Sequence, residues 1–171
     1  TFSSRGLGDV YKRQHIKNIV LNFLPSVLDY LNINLENTNQ IVAGASMGGL
    51  MSMKTSILFP QFRNIISLSP AFWFGYPSVL HDIKNLSNES STYLYTGKKE
   101  GHIFGDHVKN IFPNNWDLDF SNNDDFYYSG VKNIKDSFDS NNKKVIFSFQ
   151  DNGRHNETSW ATAILLSLIH I

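Results

Sequence analysis

A Gly-rich turn between an apolar run and a helical pattern constrains the fold of this chain most strongly. The apolar stretch 40–43 (QIVA) leads into the stretch 44–49 (GASMGG), and apolar residues at helical spacing follow. This order predicts a strand, a sharp turn and a helix, with Ser46 at the apex. Neighbouring side chains would collide in so tight a turn, so we interpret Gly44 and Gly48 as residues that leave room.

Ser46 is therefore a candidate nucleophile. The pattern G-x-S-x-G between a strand and a helix is that of a nucleophile elbow, which holds a serine hydroxyl above the edge of a sheet. The start of the following helix favours negative charge beside that hydroxyl. The alternative is an ordinary Gly-rich connection between a strand and a helix. The flanking strand and helix patterns favour the catalytic interpretation.

The composition excludes several classes of function. The chain has 171 residues, of which 41% are hydrophobic, enough for one sizeable core. Its formal net charge is zero, so no electrostatic argument favours nucleic acid or an anionic membrane surface as a partner. The absence of cysteine excludes disulfides, thiolate metal sites and cysteine nucleophiles. No apolar run is long enough to span a membrane, and no metal or organic cofactor is implied.

Hydrophobic periodicity predicts alternating helices and strands. Apolar residues at i, i+3, i+4 and i+7 predict an amphipathic helix over 16–31, with a kink at Pro25. The elbow helix ends near Leu58, further helices are expected around 131–138 and from Asn156, and residues 102–129 form an irregular insertion. The predicted strands are 40–43, 64–68, 91–96 and 144–149. This alternation predicts an α/β fold with a parallel, doubly wound sheet.

The general base that a serine nucleophile needs is sought among the six histidines. His155 follows the last predicted strand through a turn, which is where an α/β sheet of this type places its base. The alternative is a solvated loop histidine. His102 and His107 lie in the insertion and form only a weak candidate metal pair with Asp106. The remaining histidines stand at the chain ends or on a predicted surface: His15, His81 and His170.

Glu100 is the candidate acid. It lies just beyond the end of the strand at 91–96, and between Ser46 and His155 in the chain. A carboxylate there would orient the imidazole and stabilise the imidazolium. The alternative is a solvated surface glutamate beside two lysines. A group other than a carboxylate can also orient the base, and weaker acid candidates are Asp106, Asp117, Asp119 and Asp151.

Three segments together resemble a known group of proteins. They are the stretch 41–50 (IVAGASMGGL), the stretch 68–73 (LSPAFW) and the stretch 153–157 (GRHNE) with Trp160. The chain resembles the esterase group of the α/β-hydrolase superfamily. That group includes esterase D-like proteins, enterochelin (siderophore) esterase-like enzymes and feruloyl or acetyl xylan esterase domains. The resemblance covers the chain from about His15 to Trp160.

The resemblance implies a role for each matching residue. Ser46 is the nucleophile, His155 the general base, and the backbone N–H of Met47 one donor to the oxyanion. Glu100 occupies the turn in which related proteins often carry the triad acid. Phe72 and Trp73 are expected to line the pocket beside the nucleophile, although Phe72 is also a reasonable core residue.

Both ends of the chain look foreign to this domain. Residues 1–14 (TFSSRGLGDVYKRQ) and 166–171 (LSLIHI) resemble translated sequencing adapter, and the alternative is that both ends are native. We therefore expect residues 15–165 to be a partial α/β-hydrolase domain, an internal fragment with its N-terminal strands missing. Such a sheet has an exposed edge. The strand and loop that give the second oxyanion donor would also be absent, so we expect the fragment to be nearly inactive, since one donor is worth about 10²–10³ in rate.

The sequence leaves three functions open. The first is a serine esterase that acts on a small-molecule ester through a Ser-His-acid triad and an acyl-enzyme. The second is a non-catalytic binding module with the same fold, in which Ser46 and His155 would be dispensable. The third is an acyltransferase or peptidase, which would keep the triad and change the acceptor or the bond cleaved.

Overall fold

The computed structural model of the protein describes residues 2–36, 38–111 and 118–170. Their packing divides the chain into two units, one up to Gln40 and one from Ile41 onward. The candidate site residues all belong to the second unit. None of the helices in the described ranges combines the length and hydropathy that crossing a bilayer requires.

The first unit is helical. Helix α1 spans Phe2–Asn18, a π-helical segment spans Ile19–Phe23, and helix α2 spans Leu24–Leu31. The helix predicted over 16–31 is present, and its regular hydrogen bonding is interrupted just before Pro25, which lies in the first turn of α2. Residues 2–14 are helical although their apolar residues follow no helical period. That the two ends of the chain are foreign stays a prediction.

The second unit is built on a four-stranded parallel sheet. Its strands are β1 (Ile41–Ala45), β2 (Asn64–Leu68), β3 (Ser91–Gly97) and β4 (Lys144–Gln150). They lie in the order β1-β2-β3-β4, and each neighbouring pair is parallel. All four predicted strands are present, with ends that differ from the prediction by two residues at most. Within the described residues, β1 and β4 are the two edge strands.

Helices cover both faces of this sheet. Each connection leads from one strand to its next neighbour in the order β1 to β4. Because crossovers between parallel strands are right-handed, these connections lie on the same face of the sheet. Helices α3 (Met47–Leu58) and α6 (Asn123–Ser140) pack on that face, around Leu50, Ile65 and Phe126. Helix α7 (Glu157–His170) follows the last strand and packs on the opposite face, with Trp160 and Ala163 against β2 and β3. The predicted doubly wound α/β architecture is therefore confirmed.

The insertion at 102–129 is more regular than predicted. It contains a 3₁₀ turn at Gly101–Phe104, helix α5 at Val108–Ile111, and the first part of α6. Helix α6 starts at Asn123, eight residues before the predicted one, because the Asn122 side chain accepts a hydrogen bond from the backbone N–H of Asp125. Its first turns bury the aromatic side chains of Phe126 and Tyr127. The Asn and Asp residues around them obscure the helical spacing in the sequence. Residues 112–117, which include the weak acid candidate Asp117, lie outside the described residues.

The connection between β2 and β3 begins with the segment that carries two of the predicted site residues. It contains a 3₁₀ turn at Phe72–Phe74, helix α4 at Ser78–Asp82 and a second 3₁₀ turn at Ile83–Asn85. His81 lies in α4 and is exposed, as predicted. Helix α3 ends at Leu58, two residues before Pro60, as the sequence predicted.

Candidate active site

The candidate residues lie at the carboxyl ends of the four strands. Ser46 follows β1, Ser69 follows β2, Glu100 lies three residues beyond β3, and His155 lies five residues beyond β4. The carboxyl ends of parallel strands meet at one edge of a sheet, which is where open α/β folds bind their ligands. Side chains that are up to 109 residues apart in the sequence are thereby directed to one region.

Ser46 has the strained backbone of a nucleophile elbow. Its φ is 56° and its ψ is −120°, a combination that costs a non-glycine residue about 1–3 kcal/mol. Two hydrogen bonds hold it there: its N–H donates to the carbonyl of Leu68 (2.9 Å), and its own carbonyl accepts from the N–H of Ala71 (3.0 Å). The elbow is therefore fixed to the end of β2 and to the segment that follows it.

Glycine is required at two positions of this elbow. A Cβ on Gly44 would lie 2.4 Å from the carbonyl carbon and oxygen of Gly48, and one on Gly49 would lie 2.8 Å from the carbonyl oxygen of Leu68. A Cβ on Gly48 would meet nothing within 4 Å. The sequence interpretation is right for Gly44 and wrong for Gly48, where a Cβ would fit. The second position that requires glycine is Gly49.

The start of helix α3 presents a backbone donor beside Ser46. Helix α3 begins at Met47, so the N–H of Met47 is one of the first-turn amides that have no carbonyl partner within the helix. The partial positive charge of the helix start lies at the same place. The Oγ of Ser46 makes no hydrogen bond with the described residues, and the residue is half-buried. A negatively charged oxygen that forms next to Ser46 could therefore accept a hydrogen bond from the N–H of Met47.

Glu100 and His155 form a buried pair. The Nδ1 of His155 lies 2.9 Å from Oε2 of Glu100, and the side chains are 11% and 0% exposed, respectively. The solvated surface glutamate and the solvated loop histidine that the sequence left open are therefore excluded. Two of the described alternatives to Glu100 have other partners, since Asp151 pairs with Lys98 and Asp106 accepts from the N–H of His107. The catalytic roles of Ser46, Glu100 and His155 stay predictions.

Four residues to which the sequence analysis gave no role in the site support this pair. Oε1 of Glu100 accepts from the backbone N–H of Gly97 and from the hydroxyl of Ser69, the latter at 2.7 Å. The indole N–H of Trp160 donates to Ser69 Oγ (3.0 Å), and the hydroxyl of Tyr127 donates to the Ser69 carbonyl (2.6 Å). The position of Ser69 directly after a strand was a usable signal, whereas Tyr127 lay in the predicted irregular insertion.

The charge of Glu100 also affects two buried tyrosines. Burial first, and then the negative charge of Glu100, raises the pKa of Tyr95 to about 12. The same two causes, in the same order, raise the pKa of Tyr127 well above its usual value of 10. Both phenols therefore stay neutral near Glu100 and serve as hydrogen-bond donors, Tyr95 to Oε1 of Gln150 and Tyr127 to Ser69.

These shifts predict a loss of stability at high pH. In the unfolded chain both phenols lose their protons near pH 10, whereas in the folded protein they keep them, so Tyr95 and Tyr127 stabilise the fold fully below pH 10. The free energy of unfolding should fall as the pH rises from 10 through about 12. Ultraviolet absorbance of phenolate should show Tyr95 and Tyr127 titrating late in the folded protein, and this late change in absorbance should be smaller in Tyr127→Phe. Identical titrations of the folded and unfolded protein would contradict this prediction.

The two aromatic candidates occupy different environments. Phe72 is fully buried in the core, where its ring contacts Trp73 edge-on (5.4 Å between centroids) and Phe126 at 5.1 Å. Trp73 is half-buried and lies edge-on to Tyr127 (5.3 Å), whose ring is in turn 5.4 Å from His155. Trp73 is thus connected to the Glu100–His155 pair through one ring. A pocket-lining role for either residue stays a prediction.

A polar cavity of about 540 Å³ lies beside the turn that carries Glu100. It is lined by residues of the loops after β3 and β4 and of the start of α6, among them His102, Asp106 and His107. The weak metal pair predicted from the sequence therefore lies on its wall. Throughout the ranges that the structure describes, however, no three His, Asp or Glu side chains are grouped so that they could hold a metal ion.

The architecture and the elbow define this chain as a protein with the α/β-hydrolase fold. Three structures of the enterobactin esterase FES from Shigella flexneri share that fold. They were solved in the presence of enterobactin, 2,3-di-hydroxy-N-benzoyl-glycine and 2,3-di-hydroxy-N-benzoyl-serine, and give TM-scores of 0.59, 0.53 and 0.55 at 18%, 20% and 20% identity. The matches cover 88%, 88% and 90% of this chain and 35%, 36% and 36% of those chains. The resemblance stated from the sequence is confirmed at the level of the fold.

One sequence relative has been found among curated proteins. The uncharacterized protein YbbA of Bacillus subtilis (strain 168) is 27% identical over 89 residues, which are 51% of this chain and 36% of that protein. No protein-family model matches the chain. The chain thus spans little more than a third of the length of the proteins that it matches.

Proposed function

We propose that the protein is a serine carboxylic-ester hydrolase of the siderophore esterase-like type, with Ser46 as nucleophile, His155 as general base and Glu100 as the acid that orients it. The observation that carries this proposal is the buried Glu100–His155 pair, 2.9 Å apart, at the same sheet edge as the strained elbow of Ser46. A carboxylate–imidazole pair at the sheet edge that also carries a serine on such an elbow supplies the three kinds of group that acyl transfer by a serine triad uses.

The reaction follows from these groups. The Oγ of Ser46 attacks the ester carbonyl while Nε2 of His155 takes the hydroxyl proton, and the oxyanion accepts a hydrogen bond from the N–H of Met47. The tetrahedral intermediate expels the alcohol, which takes the proton from His155, and an acyl-enzyme on Ser46 remains. Water then attacks the acyl group, with His155 again as base, and releases the acid.

The substrate proposed is a small-molecule carboxylic ester. The half-buried Trp73, whose ring packs on the buried Tyr127 next to His155, offers an aromatic surface that suits an ester with a flat or apolar group. That the fold neighbours are enterobactin esterases fits this substrate class. No nucleic acid, membrane or cofactor enters the proposed reaction.

A fluorophosphonate probe tests this function directly. The probe should form an adduct on Ser46, located by mass spectrometry of the digested protein; if the chain is a fragment that lacks one oxyanion donor, the adduct should form about 10²–10³-fold more slowly in it than in the longer natural protein. Ser46→Ala should give no adduct at this site, and His155→Gln should slow labelling by about 10²–10⁴, the usual contribution of a general base. Labelling of serines elsewhere, with none on Ser46, would favour a non-catalytic module. Transfer of the acyl group to an added alcohol or amine in preference to water would favour an acyltransferase.

A further inference from the structure

Ser69 connects Glu100, the candidate acid, to Trp160 of helix α7, which packs on the face of the sheet opposite α3 and α6. Its Oγ accepts from the indole N–H of Trp160 at 3.0 Å and donates to Oε1 of Glu100 at 2.7 Å. We propose that Ser69 and Trp160 are positioning residues that hold Glu100 as an ionised acceptor and thereby fix the tautomer of His155. This proposal rests on the proposed function, in which His155 is the base.

The direction of these hydrogen bonds is determined by the groups themselves. An indole N–H can only donate, so Ser69 Oγ must accept from Trp160. The single hydroxyl proton of Ser69 is then available for Glu100, whose Oε1 must accept it. The backbone N–H of Gly97 donates to the same oxygen. Oε1 of Glu100 therefore accepts from two donors, and neither contact needs a proton on this oxygen.

An ionised Glu100 determines where the proton of His155 lies. A carboxylate only accepts, so the contact between Oε2 of Glu100 and Nδ1 of His155 at 2.9 Å requires the proton on Nδ1. In the neutral imidazole Nε2 is then bare and can accept a proton from Ser46. The opposite tautomer would present an N–H to the nucleophile and could not act as its base.

The backbone of Ser69 adopts a conformation that favours glycine. Its φ is 42°, in the left-handed region where glycine is favoured over every residue with a Cβ. The N–H of Ser69 donates to the carbonyl of Tyr95 (2.7 Å), and its carbonyl accepts from Tyr127 (2.6 Å), so the conformation is held from both sides. A glycine would satisfy both backbone contacts with less strain. What serine adds at this position is the hydrogen bond to Glu100.

Trp160 contacts the pair from helix α7. Its ring lies edge-on to the imidazole of His155, with 4.9 Å between centroids, while its N–H reaches Ser69. One side chain therefore limits the rotation of the imidazole and orients the hydroxyl that supports Glu100. Both contacts require Trp160 to keep the same rotamer, which couples the position of the base to that of the acid.

Histidine ¹⁵N NMR on the full chain tests this proposal without any substrate. The signal of His155 is assigned by its loss in His155→Gln. In the unsubstituted protein we expect neutral His155 with its proton on Nδ1. Ser69→Gly removes the hydroxyl and relieves the positive φ, and Trp160→Phe keeps an aromatic ring beside His155 but removes the N–H. In both variants we expect the Nε2–H tautomer to appear and the Nδ1 proton to exchange faster with solvent. The increase should be about tenfold or more in Ser69→Gly, which loses a hydrogen bond to a charged group, and about two- to tenfold in Trp160→Phe, which loses a neutral one.

Ser67→Ala is the matched control. Ser67 is a fully buried serine of β2 whose hydroxyl donates to the carbonyl of Gly49, outside the contacts proposed here. This variant should leave the tautomer and the exchange rate of His155 unchanged. Unchanged spectra in both Ser69→Gly and Trp160→Phe would overturn the positioning role. Because the NMR signals need no turnover, a tautomer change in a protein that forms no adduct on Ser46 would uphold the positioning and contradict the proposed hydrolase.

Discussion

Replacing Glu100 by glutamine is expected to slow the acylation of Ser46 by about 10³–10⁴, with little change in the fold. The amide has nearly the shape of the carboxylate, and its oxygen can still accept from Ser69 and the N–H of Gly97. Its NH₂ group would then face Nδ1 of His155 and donate to it. This forces the imidazole proton onto Nε2, so the base cannot take the proton of Ser46, and the imidazolium loses its counter-charge.

The rate constant of fluorophosphonate labelling at Ser46 measures this effect. Asp106→Asn and Asp151→Asn are matched controls, because both remove an exposed carboxylate from a loop near the site, and both were acid candidates in the sequence. Each should label within about twofold of the unsubstituted protein, the small effect expected of an exposed charge. A Glu100→Gln protein that is folded by circular dichroism and labels at the normal rate would show that Glu100 is not the acid.

The sheet and the order of the site residues could be predicted because both depend on local patterns. Runs of β-branched and aromatic residues mark the four strands, and their ends were predicted within two residues. Once the strands are parallel, their carboxyl ends must meet, so residues that follow strands become candidates for one site. Glu100 and His155 were found in this way, and the structure brings them into contact.

The contacts that support the pair could not be predicted in the same way. The hydrogen bond from Trp160 to Ser69 joins residues 91 positions apart, on a helix and a loop that no local pattern relates. Tyr127 was placed in an irregular insertion, since the Asn cap that starts α6 lies in a polar stretch without apolar periodicity. At the elbow, the sequence motif shows where the glycines are. It does not show at which of them an added side chain would collide with the backbone. That distinction depends on how closely the backbone of α3 approaches β1 at Gly44 and β2 at Gly49.

The elbow predicts opposite effects for two glycines that are four residues apart. Gly44→Ala should lower the free energy of unfolding by about 3 kcal/mol or more. The added Cβ would lie 2.4 Å from the carbonyl carbon and oxygen of Gly48, and backbone atoms at that contact have no rotamer by which to move away. Relief requires β1 and α3 to separate, which also displaces Ser46 and the N–H of Met47. Urea unfolding followed by circular dichroism gives the change in stability, and labelling of Ser46 should be lost with it.

Gly48→Ala is the matched control for this prediction. Gly48 lies in the first turn of α3, its Cβ would meet nothing within 4 Å, and its φ is not positive. Alanine is the better helix former, so the free energy of unfolding should rise, by up to about 1 kcal/mol. Equal destabilisation by the two substitutions would mean that the glycines act through flexibility and that the turn is not closed as described. A loss confined to Gly44→Ala instead means that the close approach of β1 and α3 at this glycine holds Ser46 in its strained conformation.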